Sequence, residues 1–186
     1  PELRKGLLWS APTMLFFYHG VISRKDTLEA LEPHMEGDSI SIKSLLADKT
    51  LRMGFPKGRN FSDPINKIVR PRLGQSNVVK WSAFENMSQG IFRMLEADRY
   101  NYFLDYFPTL QFYEQVENKI DHFVFIPLTE HLGTFGLGSI ACSNSLLGRD
   151  VIARTNRALA ELRKTEVFYE INRRWFALPG EDEAYR

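Results

Sequence analysis

Residues 51–70 read LRMGFPKGRNFSDPINKIVR, and this stretch decides the fold. Its first five residues alternate apolar and polar side chains, a period typical of a β-strand, and a proline ends that strand. Gly58 follows as a turn residue that tolerates a positive φ. Ser62 or Asn60 is placed to cap a helix whose first turn contains Pro64. The stretch therefore predicts a strand, a glycine turn and a helix in succession.

A strand, a turn and a helix in this order bring several backbone N–H groups and the positive end of a helix dipole to one point. Such a point favours an anion, so we predict a small anion site after Gly58. Arg59 and Lys57, beside the turn, could bind the carboxylate of a ligand. The alternative is that the unit has no ligand role, since strand–turn–helix units occur in every α/β protein.

The composition excludes several classes of protein. The chain has 186 residues and a net charge of +1, so it carries no electrostatic signature of nucleic-acid binding. Its one cysteine, Cys142, excludes an internal disulfide and a multi-cysteine metal cluster. The four histidines show no ligand spacing, and we predict no metal and no cofactor. No apolar run approaches the roughly 20 residues that cross a membrane.

Strands alternate with helices through the middle of the chain, which predicts an α/β fold with a mainly parallel sheet. The nearly continuous apolar run from Met14 to Ile22 predicts one buried strand. Two amphipathic helices, at about 148–164 and 167–175, follow towards the C-terminus. An acidic tail begins after Pro179.

Asp105 is the acidic residue whose position most suggests a site. It ends an otherwise apolar strand, and Pro108 opens a helix shortly afterwards. In parallel α/β sheets, ligands collect outside the carboxyl ends of the strands, where a carboxylate can accept a ligand's ammonium group. A helix-capping or solvent-facing aspartate is the alternative.

The order of several segments carries a family resemblance. Trp9-Ser10-Ala11-Pro12 precedes a strand, the Lys57-Gly58 turn joins a strand to a helix, and Met94 to Tyr102 precedes another strand. The chain then continues to the segment Tyr169 to Phe176. This succession, from Pro1 to Phe176, resembles the periplasmic solute-binding proteins of family 3. These proteins have the type 2 periplasmic-binding fold and are best known from amino-acid uptake.

The resemblance implies two α/β lobes that are joined by two crossover strands, with the first lobe incomplete at its N-terminal strand–helix–strand portion. Residues 1–25 would form the remainder of the first lobe and the first crossover, and residues 26–121 the second lobe. Residues 122–142 would form the second crossover. Residues 143–186 would form C-terminal helices that pack on the first lobe, with the acidic tail.

The resemblance also implies a set of ligand-binding residues. The family's ligand-facing turn falls on Gly58, Arg59 and Asn60. The arginine that pairs with an α-carboxylate falls on Leu3, with Arg4 one residue away. The aspartate that receives an α-amino group falls on Tyr106, with Asp105 beside it.

Both anchors of a free α-amino acid are thus displaced or replaced, which disfavours a standard amino-acid ligand because a buried carboxylate needs its guanidinium. A cleft lined by Tyr18, Phe61, Tyr106 and Phe107 would suit a larger or less polar solute.

The predicted function is that of a monomeric, non-enzymatic, periplasmic solute-binding protein. It would close on a small ligand, amino-acid-like or aromatic and polar, and deliver it to the membrane component of an ABC transporter. A periplasmic sensor module on the same fold is one alternative. An enzyme or enzyme-associated domain is another, although no catalytic motif is present.

Overall fold

The computed structural model describes residues 6–17, 19–82 and 87–178, and the chain divides into two compact units. Unit 1 combines Pro1–Phe17 with Phe135–Arg186, and unit 2 is Tyr18–Thr134. The domain limits that the resemblance implies, at residues 25, 121 and 142, stay predictions. The acidic tail after Pro179 lies outside the described residues.

Unit 2 is built on a five-stranded sheet whose order is β7-β6-β8-β3-β9. The strands of unit 2 are β3 (Gly20–Arg24), β4 (Met35–Glu36), β5 (Ser39–Ile40), β6 (Met53–Pro56), β7 (Val78–Trp81), β8 (Tyr102–Asp105) and β9 (Phe123–Pro127). Its α-helices are α1 (Leu28–Leu31), α2 (Ile42–Ala47), α3 (Asp63–Val69), α4 (Met87–Glu96) and α5 (Phe107–Glu117). Short 3-10 helices occupy Lys25–Thr27, Glu32–His34, Arg70–Arg72 and Thr129–His131.

The sheet is mixed, which corrects the prediction of a mainly parallel sheet. β6 runs parallel to β7 and β8, as strand–helix–strand connections require. β3, however, pairs antiparallel with both β8 and β9. In the described sheet, β3 therefore runs against the other four strands, and half of the strand pairings are antiparallel. Periodicity identified the strands but carries no information on their direction.

The core of unit 2 covers both faces of this sheet. Val21, Tyr102 and Leu104 belong to a buried cluster with residues of α1, α2 and α3. Ile22 and Phe103, which alternate with them along β3 and β8, belong to a second cluster with α4 and α5. This alternation follows from the two-residue period of a strand. Strand β6 is buried along its whole length, because helices cover both of its faces.

We expect Gly54→Ala to lower the free energy of unfolding by about 2 kcal/mol, because overpacking a core is destabilising. A methyl group at Gly54 would lie 2.6 Å from the Tyr100 ring. That ring cannot withdraw easily, since it is fully buried and its hydroxyl donates to the Ile91 carbonyl. Urea unfolding measures the effect. Met53→Leu, a volume-conserving change in the same strand, is the control and should cost less than about 1.5 kcal/mol.

The described residues of unit 1 form two short antiparallel ribbons and two helices. β1 (Leu7–Trp9) pairs with β11 (Ala141–Ser143), and β2 (Met14–Phe17) pairs with β10 (Phe135–Gly138). The helices are α6 (Leu146–Leu162) and α7 (Glu166–Phe176), close to their predicted limits. On α6, Ile152 and Leu159 are buried. None of the described helices has the length and apolar character that crossing a membrane requires.

The apolar run from Met14 to Ile22 is not one strand, which corrects the prediction. It contributes β2 to unit 1 and β3 to unit 2, and His19 lies outside both strands. Hydrophobicity is continuous across the run because both strands are largely apolar. The division follows from pairing with different partners, β10 and β8, which are distant in sequence.

Candidate functional site

The candidate site of unit 2 lies at one edge of the sheet, where four chain segments end or begin. Asp105 is the last residue of β8, and it pairs with Gly20, the first residue of β3. Gly20 pairs in turn with Pro127, the last residue of β9. The turn after Pro56 lies at the same edge, because β6 is the parallel neighbour of β8. Ligands of open α/β sheets bind at this kind of edge.

The turn after β6 has the predicted conformation. Gly58 adopts φ +83°, which the sequence predicted and which favours glycine. The Arg59 N–H donates to the Pro56 carbonyl at 3.0 Å, and the Lys57 N–H donates to the Trp81 carbonyl at 2.6 Å. Two N–H groups of the turn are thus used within the protein. The anion site itself stays a prediction.

The start of α3 differs in one respect from the sequence prediction. Ser62 is the N-cap residue and a proline occupies the first turn, as predicted, but no cap hydrogen bond is made by the Ser62 side chain. Its hydroxyl lies 2.5 Å from Nε2 of His131 instead. Asn60 is not the cap either. Its Oδ1 accepts hydrogen bonds from Asn66 and Arg70, each at 2.9 Å, and these tie the turn to the helix.

An ion pair between Arg59 and Asp105 is the central feature of the site. A terminal guanidinium nitrogen of Arg59 donates to Oδ1 of Asp105 at 2.5 Å. The same oxygen accepts from the Tyr106 N–H at 2.8 Å and the Thr109 hydroxyl at 3.1 Å. Asp105 is only 7% exposed, so the solvent-facing alternative is wrong. A carboxylate this buried requires such charge-assisted bonds.

The sequence assigned Arg59 to a ligand carboxylate and Asp105 to a ligand ammonium. The structure brings the two side chains together with each other. Both roles stay predictions. A ligand that binds either side chain would find that side chain already in an ion pair with the other.

The Tyr106 ring lies beside this ion pair and contacts a further ring of the site. The His19 ring lies 4.0 Å from the Tyr106 ring and contacts the edge of Phe61 at 5.0 Å, measured between ring centroids. The Arg59 guanidinium carbon lies 6.0 Å from the centre of the Tyr106 ring. Phe61 is buried, whereas Tyr106 is half-buried. Phe107 packs on Phe125, with 5.4 Å between ring centroids.

His19 is the residue of the candidate site that the sequence did not predict. It is 3% exposed, and its Nδ1 atom has no hydrogen-bond partner among the described residues. Within the sequence it appears as one polar residue in an apolar run, and only its position before a glycine hints at a break. The backbone N–H of Phe61, whose ring His19 contacts, donates to Oδ1 of Asn66 at 3.1 Å.

Both histidines of the site are held neutral. Burial is the main cause that lowers the pKa of His19, to about 3, and the charges of Arg59 and His131 lower it further. Burial also lowers the pKa of His131. The site therefore contains two neutral imidazoles beside one compensated ion pair.

We expect the free energy of unfolding to fall by about 2 kcal/mol between pH 7.5 and pH 5.0 because of His19. The unfolded residue binds a proton below its ordinary pKa of 6.5, whereas the folded residue does so only near 3. Between these values the unfolded state carries more protons, so acid destabilises the fold. Urea unfolding at both pH values should show a smaller loss for His19→Gln than for the wild type.

Exposed His122 provides the control for this experiment. His122→Gln should keep the wild-type loss of stability, because it leaves His19 in place. Equal pH dependence in His19→Gln and the wild type would contradict the prediction.

Two predicted site residues, Arg4 and Tyr18, lie outside the described residues. The structure brings together Arg59, Phe61, Asp105 and Tyr106, with Gly58 and Asn60 in the same turn. Across residues 6–17, 19–82 and 87–178, no group of three or more acidic, histidine or cysteine side chains is arranged to hold a metal ion.

Neither a protein-family model nor a curated protein sequence matches this chain. Solved structures, in contrast, show a similar fold. An ancestral amino acid-binding protein, a precursor of cyclohexadienyl dehydratase, has a TM-score of 0.63 and 16% identity. The substrate binding protein of an amino acid ABC transporter has a TM-score of 0.60 and 14% identity. A histidine kinase sensor domain with similarity to periplasmic binding proteins has a TM-score of 0.59 and 16% identity.

These similarities cover 95%, 94% and 94% of this chain, in the same order. They cover 64%, 66% and 63% of the three other chains, so this chain spans less than two thirds of their length. The chain therefore has the type 2 periplasmic-binding fold, as the resemblance predicted. The partial coverage is consistent with the prediction of an incomplete first lobe.

Proposed function

We propose that the protein is a non-enzymatic, periplasmic solute-binding protein that holds a small ligand at the candidate site. The observation that carries this proposal is the ion pair between Arg59 and Asp105, beside a half-buried Tyr106 ring, at the edge of the sheet where open α/β proteins generally bind ligands. One solved protein of the same fold is described as an amino acid-binding protein and another as the substrate binding protein of an amino acid ABC transporter, which supports a small, amino-acid-like solute.

In this proposal the turn residues Gly58, Arg59, Asn60 and Phe61 face one side of the ligand. Asp105 and Tyr106 would contact another part of it, and Arg4 and Tyr18 would add contacts. A hinge motion of the two lobes would then enclose the ligand, as in other binding proteins that close around a solute.

A thermal-shift panel of amino acids, polyamines, small peptides and aromatic acids tests the proposal. A ligand at about a hundred times its Kd adds about 2.7 kcal/mol of stability, which raises the Tm by several degrees. Tyr106→Ala should abolish the shift, whereas Tyr169→Ala, on α7 in unit 1, should retain it. The absence of a shift with every class of compound would contradict the proposal.

Delivery to an ABC transporter is the preferred physiological role, and ligand sensing is the second candidate. The sensing role is supported by the similarity to a histidine kinase sensor domain. Uptake of the radiolabelled solute by cells that lack the gene distinguishes the two. Lost uptake supports transport, whereas normal uptake with a lost transcriptional response to the solute supports sensing.

Binding without catalysis is part of the proposal. One solved protein of this fold is described as a precursor of a dehydratase, so the fold is compatible with an enzyme. NMR spectra of the bound solute, recorded before and after prolonged incubation with stoichiometric protein, should be unchanged. Appearance of a product would assign an enzymatic activity instead.

A further inference from the structure

The contact between Arg59 and Asp105 engages only one atom of each charged group. Oδ1 of Asp105 accepts from Arg59, Tyr106 and Thr109, and Oδ2 accepts no hydrogen bond from the residues that the structure describes. Arg59 uses one terminal nitrogen in this contact. A guanidinium has five N–H donors, so towards the part of the chain that the structure describes most of the donors of Arg59 stay available.

The two groups also differ in exposure. The Arg59 side chain is 25% exposed, whereas the Asp105 side chain is 9% exposed. The guanidinium is therefore the more accessible of the two charged groups. A ligand that approaches from solvent meets the guanidinium donors first.

A ligand ammonium would have to compete with Arg59 for the carboxylate of Asp105. Arg59 holds the advantage because it is tethered in the neighbouring turn, which gives it a high effective concentration. An ammonium that enters without displacing Arg59 would place two cations beside one carboxylate, and like charges at short distance repel. The neutral imidazole of His19 offers no compensating negative charge.

A ligand carboxylate or neutral carbonyl, in contrast, does not compete with Arg59 for Asp105. The remaining N–H donors of Arg59 can bind it without breaking the pair with Asp105. The ion pair then remains intact and orients the guanidinium for the ligand.

We propose that Arg59 is a specificity-determining residue that neutralises Asp105 from within the site, so that the site selects carboxylate or neutral-acceptor ligands and rejects ligands whose charged group is an ammonium. This inference rests on the proposed function, that the site binds a small solute.

Two probes with the same phenyl group test the selection, namely 3-phenylpropionate, which carries a carboxylate, and phenethylamine, which carries an ammonium. Calorimetric titration of the wild type should give at least tenfold tighter binding of 3-phenylpropionate. In Arg59→Gln the preference should reverse, because the carboxylate of Asp105 becomes free to receive the ammonium. Arg59→Lys, which keeps the positive charge, should keep the wild-type preference.

Lys67→Gln is the matched control, since Lys67 is an exposed cation on the adjacent helix α3. It should leave the ratio of the two affinities unchanged. The same ratio in the wild type and in Arg59→Gln would overturn the inference, as would the absence of binding by either probe to every variant.

A double-mutant cycle of Arg59→Gln and Asp105→Asn separates a failure of this inference from a failure of the proposed function. Urea unfolding should show at least a tenfold coupling between the two changes in the unfolding equilibrium constant. If the stability effects of the two substitutions simply add, the ion pair between Arg59 and Asp105 is overturned, whatever the protein binds. Coupling without binding of any compound would preserve the pair and overturn the solute-binding function.

Discussion

Asp105→Ala is expected to lower the free energy of unfolding by about 3 kcal/mol, because removing one partner of a buried ion pair is strongly destabilising. The change removes the acceptor of three donors: the Arg59 guanidinium, the Tyr106 N–H and the Thr109 hydroxyl. Arg59 is partly exposed and can regain water, which places the expected cost at the lower end of the range for buried pairs.

Urea unfolding at pH 7 measures this cost, and Thr109→Val provides a graded comparison. That variant removes one hydrogen bond, from an uncharged donor to the same carboxylate oxygen, and should cost about 1.5 kcal/mol. A loss in Asp105→Ala no larger than that in Thr109→Val would contradict a stabilising role for the ion pair. The comparison therefore separates the loss of the whole carboxylate from the loss of a single hydrogen bond to it.

Phe92→Ala is expected to lower the free energy of unfolding by about 4 kcal/mol, the usual cost of deleting a buried aromatic side chain. Phe92 is fully buried in α4, where its ring stacks on Tyr113 at 3.9 Å between centroids. The same ring contacts the Phe103 and Phe123 rings, each at 5.1 Å. It thus joins two helices and two strands on one face of the sheet.

Phe112→Ala is the matched control for this variant. Phe112 lies on α5 in the same unit and is 52% exposed, so its loss should change the stability by no more than about 0.5 kcal/mol. A cost below about 1.5 kcal/mol in Phe92→Ala would contradict the packing of this aromatic cluster.

The sequence determined the local elements of this protein because their signals are local. The alternation of apolar and polar residues in residues 51–70, with the positions of proline and glycine, predicted β6, the Gly58 turn and the start of α3. The structure confirms all three. Apolar spacing likewise predicted α6 and α7. The order of these elements carried the resemblance that predicted the type 2 periplasmic-binding fold.

The candidate site was predicted only in part. Asp105 and Arg59 were identified separately, because each lies next to a strand end or a glycine turn. His19 was missed, because a histidine in an apolar run has no pattern that marks it as buried beside Phe61 and Tyr106.

Tertiary structure alone decided the strand directions, the division of the run from Met14 to Ile22 between two units, and the pairing of Arg59 with Asp105. The two partners are 46 residues apart, and they meet because β6 and β8 become neighbours in the sheet. Secondary-structure propensity, helix capping and hydrophobic periodicity act over a few residues, so they specify individual helices, strands and turns. Which elements become neighbours depends on how the whole chain buries its apolar surface, and that choice places the charges of the site together.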